Sequence, residues 1–95
     1  MNEQLRAQLE EGRHLIPSYM WDGIENYFLH HVPVGSFMTA VLSNDLMGAA
    51  GKADDMNRRW LHQWCAFLYN HAPVGSFGSP EAVSAWLARR EEKPE

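Results

Sequence analysis

The sequence predicts an all-α domain, a compact bundle of about five helices. Three observations carry that expectation. Apolar residues recur at spacings of three and four along most of the chain, the signature of amphipathic helices. No stretch alternates apolar and polar residues as a half-buried strand does. One phrase, His31-Val-Pro-Val-Gly-Ser-Phe37, returns forty residues later as His71-Ala-Pro-Val-Gly-Ser-Phe77 with six of seven positions identical. Each copy follows an aromatic-rich helical stretch and precedes another. The offset predicts two related helix–turn–helix halves, though one duplication is too few for a solenoid.

Residues 1–14 read as a peripheral helix with a thin apolar stripe, Leu5 and Leu9, weakened at its end by Gly12. Pro17 suits a helix start, where its missing N–H costs nothing, and Ser18 is a candidate cap. The second helix runs to about His31, with Met20, Trp21, Ile24, Tyr27, Phe28 and His31 on one face. Pro33 pushes its neighbour out of helical geometry, Gly35 permits a reversal, and Ser36 is the expected N-cap of the next helix. That third helix spans about 37–50, striped by Met38, Val41, Leu42, Leu46 and Ala49. Asp45 follows the stripe by spacing, and a carboxylate there needs a partner or water.

Asp54 or Asp55 caps a fourth helix reaching about Asn70. Met56, Trp60, Trp64, Phe67, Leu68 and His71 form its stripe, widened by Leu61 and Cys65. It is the most apolar helix and the expected centre of the core. The fifth begins at Ser79-Pro80-Glu81, which reads as N-cap, first-turn proline and acid. It buries Val83, Trp86 and Leu87 and fades into a solvated tail at 91–95.

At 95 residues the chain is one domain at most, and a core of this size is only modestly stable alone. Cys65 is the single cysteine, so no internal disulfide or zinc-type cysteine pair is possible. Among apolar neighbours it reads as a reduced, buried thiol, which fits the cytoplasm. Eleven aromatics and five methionines point to further burial against a partner, so a homo-oligomer is expected. The net charge of −4 opposes nucleic-acid binding. No apolar run approaches the roughly 18 residues of a membrane span, and the Met-Asn-Glu-Gln start lacks the basic and apolar regions of a signal peptide.

The two Gly-Ser corners are the candidate binding features. Backbone N–H groups at a helix start have no intrahelical acceptor and suit an anion. Gly35-Ser36 and Gly75-Ser76 are therefore expected to hold phosphate, with Arg58 and Arg59 adding charge and Trp60 or Tyr69 stacking on a base. The plainer reading of the same residues is helix capping and turn formation. His30, His31, His62 and His71 match no zinc spacing, and histidine in a last helical turn complements the negative helix end. The Asn44-Asp45 and Asp54-Asp55 pairs are explained by capping more simply than by a divalent ion. Cys65 and the Gly-Ser serines have no catalytic context, so no enzyme, metal or cofactor is expected. Four tryptophans are many for so small a core, and some are expected to face a partner.

The stretches Gly-Ser-Phe-Met-Thr-Ala-Val-Leu-Ser-Asn-Asp-Leu (35–46), Gly-Lys-Ala-Asp (51–54) and Phe-Leu-Tyr-Asn-His-Ala-Pro-Val-Gly-Ser-Phe-Gly-Ser-Pro-Glu (67–81) resemble a family of small proteins encoded by tailed phages and prophages. The resemblance covers roughly residues 16 to 90. The family is of unassigned function, so the likeness implies an origin more than a mechanism. In the family the two turns often read Gly-Gly-Phe and Gly-Cys-Trp. Here Ser36 and Ser76-Phe77 stand in those places, which argues against an essential thiol at the second turn. The phage context implies a non-enzymatic accessory factor in the host cytoplasm. It would sequester a small nucleotide such as a host anti-phage signal, or cover a host protein through an aromatic surface.

Overall fold

A computed structural model describes residues 3–92, and every regular element among them is helical. The described residues form seven α-helices where five were expected: α1 (Glu3–Glu11), α2 (Trp21–His30), α3 (Ser36–Leu42), α4 (Leu46–Lys52), α5 (Asp55–Arg59), α6 (Leu61–His71) and α7 (Pro80–Glu92). Short 3₁₀ turns at Arg13–Leu15 and Ser18–Met20 link α1 to α2.

The two extra helices come from breaks inside expected ones. The stretch expected as one helix over 37–50 is interrupted at 43–45. Asn44 adopts the left-handed region at φ 64°, and the chain restarts with Asp45 as N-cap. Asp45 accepts the Gly48 N–H at 3.0 Å, so the carboxylate that fits the apolar stripe by spacing is a cap on the surface. The fourth expected helix divides at Trp60, which ends α5 and precedes α6. Asp54 caps α5 as expected, accepting the Asn57 N–H at 2.8 Å.

The core gathers around α2 and α6. Ile24, Tyr27, Leu42, Trp64 and Phe67 have no solvent exposure, and Phe28 and Leu29 are nearly as buried. Trp64 meets Phe37 edge-on at 5.4 Å and donates its indole N–H to Asn57 Oδ1 at 2.9 Å. That bond satisfies two polar groups that burial would otherwise penalise. Leu9 is buried, Leu5 is partly buried and Arg6 pairs with Glu25 at 3.0 Å, so α1 docks through its thin apolar stripe with its other residues exposed. Gly12 makes this possible. A Cβ there would collide with the His71 ring and lie 2.8 Å from Phe67 Cδ1.

Three tryptophans, Trp21, Trp64 and Trp86, are core residues and Trp60 is half-buried, so tryptophan supplies little of the surface. Cys65 is exposed, against the expectation of a buried thiol. The α7 backbone continues to Glu92, past the expected start of the tail at 91, and residues 93–95 lie outside those described. No helix among the described residues is long and apolar enough to cross a membrane.

Candidate functional site

The first Gly-Ser corner opens on a groove of about 480 Å³. Four parts of the chain build it. The 3₁₀ turn gives Tyr19 and Met20, and α2 gives Gly23 and Asn26. The corner and α3 give Pro33 to Met38, and the α4–α5 junction gives Lys52, Asp54 and Asn57. Phe37, Met38 and Asn57 are buried and form its base. Tyr19, Pro33, Gly35, Ser36, Lys52 and Asp54 are exposed and form its rim. A neighbouring groove of about 590 Å³ shares Val34, Ser36 and Lys52, which places these three on the ridge between the two.

At the corner, α3 begins with Gly35 as N-cap and Ser36 as its first residue, and no side chain caps it. Ser36 was expected as the cap itself. The helix begins one residue earlier, because the Gly35 carbonyl already accepts the Thr39 N–H at 2.9 Å. Thr39 Oγ1 donates back to the Val34 carbonyl at 3.2 Å and holds the entry to the helix. The first peptide N–H groups of α3 therefore lack an intrahelical acceptor.

Across the groove, Tyr19 donates its hydroxyl to Asp54 Oδ2 at 2.6 Å. This bond, with the Asn57 N–H on Oδ1, holds the Asp54 carboxyl below its ordinary range. The same bond pushes the Tyr19 phenol up to about 12, with smaller contributions from burial and from the carboxylate charge. Asp54 is thus a fixed anion with both oxygens engaged by its own neighbours. Lys52 forms no ion pair among the described residues and is the rim's positive charge.

The second corner is differently made. Ser76 is fully buried and donates its hydroxyl to the Pro73 carbonyl at 2.6 Å, while its N–H reaches the same oxygen at 3.2 Å. Gly75 sits at φ 86°, the third position of a tight turn, where glycine carries no steric penalty. The Ser76 carbonyl accepts the buried Tyr27 hydroxyl at 2.7 Å. No helix starts there. The restart waits until Pro80, where Ser79 Oγ caps by accepting the Ala82 N–H at 3.0 Å. The anion-site expectation for Gly75-Ser76 is corrected on this ground: the chain's own atoms fill the turn.

The other expected binding residues also lie apart from the groove. Arg58 is turned to Asp55 at 3.2 Å and to the Ala53 carbonyl at 3.1 Å. Arg59 is exposed and absent from the groove lining, Trp60 is wedged between α5 and α6, and Tyr69 is 86% exposed on α6. Of the eight residues, only Gly35 and Ser36 come together at the groove. Sequence reasoning missed Tyr19, Asn26, Lys52 and Asn57 as lining residues. Lys52 had one signal, its place in the Gly51-Lys52-Ala53-Asp54 stretch between the third and fourth expected helices.

Two of the histidines, His31 and His71, have structural contacts. His31 caps α2 in the left-handed region at φ 58°, and its Nδ1 donates to the Trp86 carbonyl at 2.8 Å. The His71 ring packs on Phe67, while its carbonyl accepts the Gln8 amide at 2.7 Å. Among the described residues no three His, Cys, Asp or Glu side chains gather as a metal site would require. No protein-family model, curated protein or solved structure matches this chain.

Proposed function

We propose that the protein is a non-enzymatic binder that takes a small phosphate-bearing ligand in the groove beside the first Gly-Ser corner. The observation that supports this reading is the rim itself. The Lys52 ammonium, without an ion-pair partner among the described residues, shares a ridge with Ser36, and an exposed aromatic ring, Tyr19, lines the same groove. Lys52 would meet the phosphate and Ser36 would add a hydroxyl donor. The Tyr19 ring would stack on a base, as aromatic side chains do on nucleotide π-faces. Arg58, Arg59 and the second corner have no part in it.

The resemblance to phage-encoded proteins suggests a host defence nucleotide as the ligand, encountered in the host cytoplasm, by a chain that self-associates. A thermal-shift screen with cyclic and linear nucleotides, followed by calorimetry on wild type and Lys52→Ala, tests the reading. Stabilisation that Lys52→Ala removes supports it. No shift with any nucleotide at millimolar concentration rejects it.

A second reading is a protein-interaction module. It is favoured by an apolar surface that is aliphatic more than aromatic: Leu46 and Met47 are 64% and 81% exposed. Leu46 shares a small hollow with Val41, Leu61 and Cys65. A stoichiometric host protein captured by wild type but not by Met47→Lys, with no nucleotide effect, favours this second reading.

A further inference from the structure

The segments Pro33-Val34-Gly35-Ser36-Phe37 and Pro73-Val74-Gly75-Ser76-Phe77 share one sequence and differ in conformation. In the second, Gly75 lies at φ 86° and the Ser76 N–H closes a turn onto the Pro73 carbonyl. In the first, Gly35 lies at φ −68°, ψ 177°, backbone open to any residue, and a Cβ there would meet nothing within 4 Å. Nothing in the observed first corner requires glycine, whereas the twin turn does.

Local sequence therefore permits both forms, and the surroundings choose between them. The closed form is held at the second corner by the Tyr27 hydroxyl on the Ser76 carbonyl and by complete burial of Ser76. The open form is held at the first corner by two bonds of Thr39, its N–H to the Gly35 carbonyl and its hydroxyl to the Val34 carbonyl. Pro33, Gly35 and Ser36 are exposed, Val34 is partly buried, and Phe37 is the packed side chain that a rearrangement must keep seated against Trp64. Closing the turn as at the twin would exchange the two Thr39 bonds for two bonds from Ser36, its N–H and its hydroxyl, to the Pro33 carbonyl. The bond count is then equal in the two forms, and states close in energy coexist.

We propose that the first Pro-Val-Gly-Ser corner exchanges between the open helix start and a closed turn like its twin's, with Gly35 as the pivot. The closed form turns the Ser36 N–H inward and removes the first turn of α3 from the groove rim. Groove occupancy by any ligand would then depend on the open fraction. The exchange itself needs no ligand, so its test stands apart from that of the binding reading.

The test is relaxation-dispersion and saturation-transfer NMR on the labelled protein without ligand. Gly35 and Ser36 are expected to exchange with a minor state of about 1–10%, whose carbon shifts match those of Gly75 and Ser76. Gly35→Ala keeps the open form and blocks positive φ, so it is expected to abolish the exchange and leave the rest of the spectrum unchanged. Flat profiles at Gly35 and Ser36 in wild type would overturn the proposal. Exchange that persists in Gly35→Ala would overturn it equally.

Discussion

Tyr27→Phe isolates the bond that closes the second corner. The substitution keeps the ring, and with it the edge-on contact to Phe28 at 5.0 Å and the tilted contact to Trp86 at 6.4 Å. What it removes is the hydroxyl that donates to the Ser76 carbonyl at 2.7 Å. Tyr27 and Ser76 are both fully buried, so water is poorly placed to replace the lost donor. A buried acceptor left unpaired costs about 1–3 kcal/mol. In a domain of this size each kcal/mol shifts the melting temperature by about 4–8 °C. The expected fall in Tm is therefore from about 4 to about 24 °C, read by circular dichroism or calorimetry. Ser36→Ala at the exposed first corner is the comparison, and its effect should stay within about 0.5 kcal/mol. An unchanged Tm in Tyr27→Phe, or an equal fall in Ser36→Ala, would refute the claim that the two corners differ in closure.

Three further outcomes follow from named contacts. Gly12→Ala places a Cβ against the His71 and Phe67 rings and should destabilise by about 1–3 kcal/mol, seen as a lower denaturant midpoint with an unchanged slope. Asp45→Ala removes the α4 cap and should cost about 1 kcal/mol, with amide-exchange protection lost first over 46–49. Burial pushes the Tyr27 phenol up to about 12. Between its ordinary value near 10 and that value, the unfolded chain loses the proton first, so stability present below about pH 10 declines up to about pH 12. Tyr27→Phe should flatten that decline in pH-dependent unfolding curves.

Much of the helical pattern was legible because apolar spacing and capping residues agreed with the packing. Asp54 and Ser79 cap where capping chemistry places them, and Trp64 and Phe67 centre the core. The breaks at 43–45 and at Trp60 were not legible. The apolar stripe runs through both, and periodicity registers which face is apolar without registering a restart. Asp45 was the one clue, since a carboxylate on an apolar stripe is better placed as a cap.

The site was legible only in its first corner. Two identical segments were read alike, yet whether Gly-Ser begins a helix depends on Tyr27, forty-nine residues from Ser76. Arg58 and Arg59 read as a basic pair, but Asp55 three residues before Arg58 engages it locally. Tyr19 and Lys52 reach one groove through the fold alone, because no sequence spacing links the turn before α2 to the end of α4.

The central claim concerns which corner meets a ligand. An amide-resolved NMR titration with adenosine monophosphate and, separately, inorganic phosphate tests it most directly. The account predicts shifts concentrated at Tyr19, Gly35, Ser36 and Lys52, saturating with the nucleotide and weaker with phosphate alone, while Gly75 and Ser76 stay still. No shifts at millimolar ligand, or shifts centred on Gly75 and Ser76 or on Leu46 and Met47, would contradict it.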